Sequence, residues 1–151
     1  MNTIKIILSS ILMTFAMTSC SLFGGYNAER AEELADMMKD GENLTNDEYA
    51  EAIENCEAGF ERFFDRLDDA LSAGGNPEKK DALKELEDDD ELCEMIKTCG
   101  TIYWYLINAS ETENEFNSQN KKAFKNLEKL YKKIDKRWEK AKDIYPDFDL
   151  D

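Results

Sequence analysis

Residues 45–77 read TNDEYAEAIENCEAGFERFFDRLDDALSAGGNP, and their pattern decides the fold. Thr45 and Glu48 are spaced as a capping box: the threonine hydroxyl takes the N–H of residue 48, and the glutamate reaches back to the N–H of Thr45. Leu44 and Tyr49 flank the cap at the positions of a hydrophobic staple. Tyr49, Ile53, Cys56, Phe60, Phe63, Phe64, Leu67 and Leu71 then recur every three or four residues, which lines them up on one face of an α-helix about 40 Å long. Ser72-Ala73-Gly74-Gly75-Asn76 stops it, and Pro77 suits the first turn of the next helix. A helix this long with one apolar face must bury that face against other helices.

Outward from this stretch the same period continues. Upstream, Ala28–Lys39 reads as a short helix capped by Asn27, with a thin stripe of Ala28, Ala31, Leu34, Ala35 and Met38; Gly41 suits the left-handed position after it. Downstream, a helix begins near Glu78. Asp88–Glu91 interrupts it, with Asp88 and Glu91 spaced as a second cap, so a kink or break falls there. Beyond come Leu92, Met95, Ile96, Cys99, Ile102, Tyr103, Leu106 and Ile107, and the richly apolar Ile102–Ile107 is expected to be the most buried section. Residues 108–118 read as a last turn, a loop and the start of a final helix. That helix carries Phe116, Ala123, Phe124, Leu127, Leu130, Tyr131, Ile134, Trp138, Ala141 and Tyr145, and Pro146 ends it. The expected fold is all-α: an elongated up-down bundle of three long helices plus a short N-terminal helix, over residues 27–146. Residues 147–151 are expected to fray.

The first twenty residues, MNTIKIILSSILMTFAMTSC, are of another kind. Lys5 precedes an apolar run from Ile6 to Met17, about half the length that spans a bilayer, and Met17-Thr18-Ser19 leads into Cys20. This resembles a bacterial lipoprotein signal peptide. The resemblance covers residues 1–20 only and implies removal of residues 1–19, a diacylglycerol on the Cys20 sulfur and a membrane anchor for the rest, with residues 20–26 as the linker. Two or more acyl chains anchor stably, at roughly 0.8 kcal/mol per buried CH₂. Ser21, Leu22, Phe23 and Gly24 lack the acids that some diderm bacteria use for surface export, so an outer-membrane or envelope location facing the periplasm is expected.

Charge narrows the partners. Residues 20–118 carry 8 basic and 27 acidic side chains, net −19, and residues 119–151 carry 10 and 7, net +3. So anionic a chain is a poor partner for nucleic acid or for anionic headgroups. The basic last helix is expected to pack beside the acidic helices and moderate their repulsion. A basic strip for an acidic partner is the sharper alternative.

With Cys20 lipidated, Cys56, Cys93 and Cys99 remain, in a compartment where disulfides persist. Three thiols allow one bridge. Cys93 and Cys99 are about 9 Å apart along one helix, too far to join. If the second and third helices form a hairpin, facing favours Cys56–Cys99 and height favours Cys56–Cys93; three buried free thiols are the remaining alternative.

Histidine is absent from the chain, which removes the usual general base, the commonest metal ligand, and Ser/His/Asp or Cys/His arrangements. No C-x-x-C or phosphate-binding loop occurs, and the acidic runs at Asp68-Asp69 and Asp88–Glu91 do not follow calcium-loop spacing. No metal or cofactor is expected, and no enzymatic activity. Tyr103-Trp104-Tyr105 cannot all face one core, so Trp104 or Tyr105 turns outward or to another helix and is the candidate interaction patch. The expected role is that of a membrane-tethered protein-interaction module. An acidic binder that sequesters cationic peptides or proteins is the alternative.

Overall fold

The computed structural model describes residues 25–112 and 116–150. The predicted signal peptide, Cys20 and most of the linker lie outside them, as do residues 113–115 of the predicted loop. Five α-helices make up the described chain, without strands: α1 Ala28–Lys39, α2 Asn46–Ser72, α3 Asn76–Glu87, α4 Asp90–Thr112 and α5 Ser118–Ile144.

Most helix–helix contact in the domain involves α2. Its start is the predicted capping box: Thr45 Oγ1 accepts the Glu48 N–H at 3.2 Å, and the Thr45 N–H donates to Glu48 Oε2 at 2.8 Å. Leu44 and Tyr49 are both buried. Asn27 caps α1 by accepting the Arg30 N–H at 3.1 Å, and Gly41 after it adopts φ 72°, a conformation that favours glycine.

Contacts along α2 give the directions of its neighbours. The Asn27 N–H donates to Asn55 Oδ1, and Arg30 pairs with Glu51 at 2.6 Å, so α1 runs antiparallel to α2. Cys56 meets Cys99 and Arg66 meets Asp89, so α4 is also antiparallel. The last helix runs parallel to α2. Asn120 Nδ2 donates to the Asn46 carbonyl at 3.0 Å, the Asn117 N–H donates to Asn46 Oδ1 at 3.1 Å, and further on Arg137 pairs with Asp68 at 2.6 Å. Asn120 is the one buried polar side chain among the described residues, and its hydrogen bond to the start of α2 compensates its desolvation.

Several expectations need correction. The break expected at Asp88–Glu91 falls at Asp88–Asp89 and divides the predicted third helix in two, but its cap lies one residue later than predicted. Asp89, not Asp88, takes the Leu92 N–H at 3.0 Å, and its carboxylate also meets Arg66 at 3.1 Å. Phe116 precedes the last helix rather than belonging to it. It is buried edge-on to Tyr49 at 5.2 Å and near Phe124. Tyr26, assigned to the linker, is half-buried against Gly59. The tail is not frayed through residue 150: Phe148 is fully buried against Trp138 at 4.8 Å, Leu150 is buried, and the Asp149 N–H donates to Glu87 Oε1 at 2.7 Å. Two apolar side chains spaced two apart fold back over the open end of α3 and α5, which no helical period signals.

Two outcomes test this packing. Phe148→Ala should cost about 3 kcal/mol, the range for a fully buried phenylalanine, read as a lower denaturant midpoint; a change under about 0.5 kcal/mol would mean that the tail is loose in solution. Asp89 is held below its ordinary range first by the Leu92 N–H and then by Arg66. Its folded value is lowered, so its contribution is complete above the unfolded value near 3.9 and is lost as pH falls through the folded value. Asp89→Ala should cost about 1 kcal/mol at pH 7 and a shrinking amount below pH 4, measured by thermal melts across that range.

Candidate functional site: an aromatic seam and two buried thiols

The section expected to be most buried is split between core and solvent. Ile102 and Leu106 are fully buried, yet Trp104 is 59% exposed and Ile107 38%. On α4 the buried residues Leu92, Met95, Cys99, Ile102, Leu106 and Ala109 form one face, and at 100° per residue Trp104 falls opposite them. Of the two candidates, Trp104 is the outward one. Tyr105 is half-buried and meets the Trp104 ring edge-on at 4.9 Å.

The other exposed large apolar side chain among the described residues is Tyr131 on α5, 41% exposed. It stacks on Tyr103 at 4.6 Å with the ring planes 14° apart. Tyr103 in turn lies one turn from Ile107 on the same side of α4, as residues i and i+4 do. Helices α4 and α5 both lean on α2 and touch each other little. Phe60, Tyr103, Phe124 and Tyr131 fill the gap between them, with centroids 4.6–6.0 Å apart. Burial, with Glu128 and Tyr131 nearby, pushes the Tyr103 phenol up to about 12. Ile107 and Tyr131 thus edge one aromatic seam. Trp104 stands beside it on the outer face of α4, its ring against Tyr105, and Gly100, a turn before Trp104, has open space where a Cβ would stand. The tyrosine-tryptophan run pointed to Trp104. Ile107 and Tyr131 were hidden, because each fits an apolar stripe equally well as a core residue.

The charged surfaces sort differently from expectation. Of the ten cations on α5, only Arg137 forms an ion pair among the described residues. Lys122, Lys125, Lys129, Lys132, Lys133, Lys136 and Lys140 are all exposed and occupy an arc of about 100° facing away from the core. On α2, Glu54, Glu57, Glu61 and Asp65 form an acidic ridge. Burial, then Glu61 and Glu54, holds the Glu57 carboxyl above its ordinary range. A shallow groove of about 300 Å³ between α1 and α4 mixes both signs, with Glu32, Asp36 and Glu94 beside Lys39 and Lys97.

The three cysteines are buried free thiols. Cys56 and Cys99 are brought together: the Cys56 thiol donates to the Cys99 carbonyl oxygen at 3.3 Å, and burial, with Cys99 alongside, pushes the Cys56 thiol up. Gly59 makes the approach possible, since a Cβ there would overlap the Cys99 sulfur and crowd the Tyr26 ring. The alternative pairing, Cys56 with Cys93, is not assembled. The Cys93 thiol points at the carbonyls of Leu86 and Glu87 across the helix break.

Among the described residues, no cluster of cysteine and carboxylate side chains is arranged to hold a metal ion, and no helix is long and apolar enough to cross a membrane. Comparison with protein-family models, curated proteins and solved structures finds no match to this chain.

Gly59 and Trp104 should behave oppositely on substitution. Gly59→Ala overpacks the α2–α4 contact and should cost about 1–3 kcal/mol, whereas Trp104→Ala, on the outer face, should stay within about 0.5 kcal/mol. Urea titration of both variants measures the contrast; equal losses would place Trp104 in the core.

Proposed function

We propose that this chain is a membrane-tethered, non-enzymatic module of the cell envelope that docks a protein partner on the aromatic seam. The observation that carries the reading is the exposure of Ile107 and Tyr131 along the seam, with Trp104 also exposed a turn from Ile107 on α4. Single exposed apolar residues are ordinary, but neighbouring exposed aromatics are enriched at the centres of protein interfaces. The lipobox resemblance supports a tether through lipid on Cys20, with the domain anchored at the outer membrane or elsewhere in the cell envelope and facing the periplasm. Tyr26 is packed at Gly59, and a stretch as short as residues 20–25 can span at most about 20 Å. Tyr26 enters on the α1 side of α4 and the seam lies on the α5 side, an arrangement that leaves the seam open to a partner. The helix directions support an elongated up-down bundle as the rigid body that presents it.

The acidic ridge favours a second reading, in which the domain holds cationic peptides or proteins. Burial first, and then Glu61 and Glu54, raise the Glu57 carboxyl, and a bound cation would relieve the repulsive part of that shift. Salt separates the two, since electrostatic capture weakens between low and 0.15 M ionic strength while seam docking largely persists.

In cells, Cys20→Ala should move the protein from the membrane to the soluble fraction; retention at high salt would refute the tether. A photo-crosslinking residue at Trp104 should give one discrete adduct, and the same probe at Lys129 on the lysine face should not. Equal labelling from both positions, or none from residue 104, would refute docking at the seam.

A further inference from the structure

We infer that Cys56 and Cys99 are a disulfide site that closes while the chain folds and is sealed from redox chemistry afterwards. The bridge would staple α2 to α4 at their close approach beside Gly59 and leave Cys93 as a permanent free thiol. Three observations converge on it. The Cys56 thiol already reaches the Cys99 carbonyl oxygen at 3.3 Å, across the α2–α4 contact. Gly59, one turn from Cys56, opens the notch that the Cys99 sulfur occupies. Cys93 lies about 9 Å from Cys99 along α4 and faces the Leu86 and Glu87 carbonyls instead.

The order of events follows from burial. Both Cys56 and Cys99 are 0% exposed, so an oxidised dithiol donor cannot reach either sulfur once α2 and α4 have docked. Burial also pushes the Cys56 thiol up, with Cys99 adding to the shift, which suppresses the thiolate that exchange requires. During folding the same sulfurs are accessible. One cysteine loses its proton and attacks the donor disulfide, forming a mixed disulfide and releasing one donor thiolate. The second cysteine then attacks the mixed bond. The Cys56–Cys99 bond forms, and the donor leaves as a dithiol carrying both electrons and both protons. A bridge made this way closes a loop of more than forty residues, long enough for a large entropic effect on the unfolded chain. Only the supply of a donor rests on the envelope reading; the geometry does not.

The test uses the full chain in detergent with Cys20→Ala, which removes the fourth thiol. Reduced and unfolded protein is refolded in a glutathione redox buffer, acid-quenched, alkylated and mapped by peptide mass. The expected result is one bridged peptide pair, Cys56–Cys99, with Cys93 alkylated, and a melting midpoint about 10 °C above that of the reduced protein. Native reduced protein placed in the same buffer should form the bridge about 100-fold more slowly. Cys99→Ala should abolish the difference between oxidised and reduced midpoints, and Cys93→Ala should keep it; comparing the two redox forms of each variant removes any general loss of stability from the reading. Alkylation of both Cys56 and Cys99 after refolding, or a bridge to Cys93, would overturn the proposal. Bridge formation as fast in the native protein as in the refolding one would overturn its timing. A bridge in the glutathione buffer but free thiols in cells would count against the envelope location, not against the site.

Discussion

The close approach of α2 and α4 at Gly59 is the constraint on which the rest of the fold depends. Where α2 lacks a side chain, the Cys99 sulfur and the Tyr26 ring fill the space, so one missing methyl admits both α4 and the chain entering α1. The neighbours of that contact follow from it. Cys56, a turn before Gly59, and Phe60, the next residue after it, lie within the core, and Phe60 turns its ring toward Tyr103 and Tyr131. With α4 held this close to α2, and α5 held along α2 by the Asn46–Asn120 clamp and the Arg137–Asp68 pair, the gap between α4 and α5 is left to rings rather than to a helix–helix contact. The exposed seam is thus a result of core geometry. It does not arise from a surplus of apolar residues.

Electrostatics is arranged around that core more than it supports it. The strongly acidic helices are not neutralised by the basic one, because its lysines face water and a single arginine crosses to α2. That arginine covers the Phe64 ring at 5.5 Å while it meets Asp68, so its stem and plane contribute packing as well as charge. Surface pairs of this kind are worth at most about 1 kcal/mol each. The stability of a domain with this net charge therefore rests on its aromatic and aliphatic core.

What the sequence disclosed was what local chemistry controls. The Thr45–Glu48 box, the Asn27 cap, Gly41 and the stop at Pro146 are decided within a few residues, and each could be read directly. The facing of Cys56 toward Cys99 was also legible, since both occupy the middle of a stripe. What stayed hidden depends on tertiary choice. In the Asp88-Asp89-Asp90 run a shift of one residue selects the cap, and Arg66 on another helix helps select Asp89. That break sets the rotation of α4, and the rotation turns Trp104 and Ile107 outward although their segment, residues 102–107, is uncharged and richly apolar. Phe148 and Leu150 are buried by a surface that only α3 and α5 together create. The parallel course of α5 along α2 follows from asparagines more than seventy residues apart, beyond the reach of any period.

The two tryptophans give the molecule a built-in pair of optical reporters. Trp138 lies between Phe63 at 6.2 Å and Phe148 at 4.8 Å, so its indole emits from apolar surroundings and follows the integrity of the core. Trp104 stands in water on the outer face of α4, beside the seam, and its emission is open to aqueous quenchers. A ligand that covers the seam shifts and shields one indole while leaving the other unchanged, whereas unfolding moves both. Occupancy and folding can therefore be followed separately by the fluorescence of the unlabelled protein.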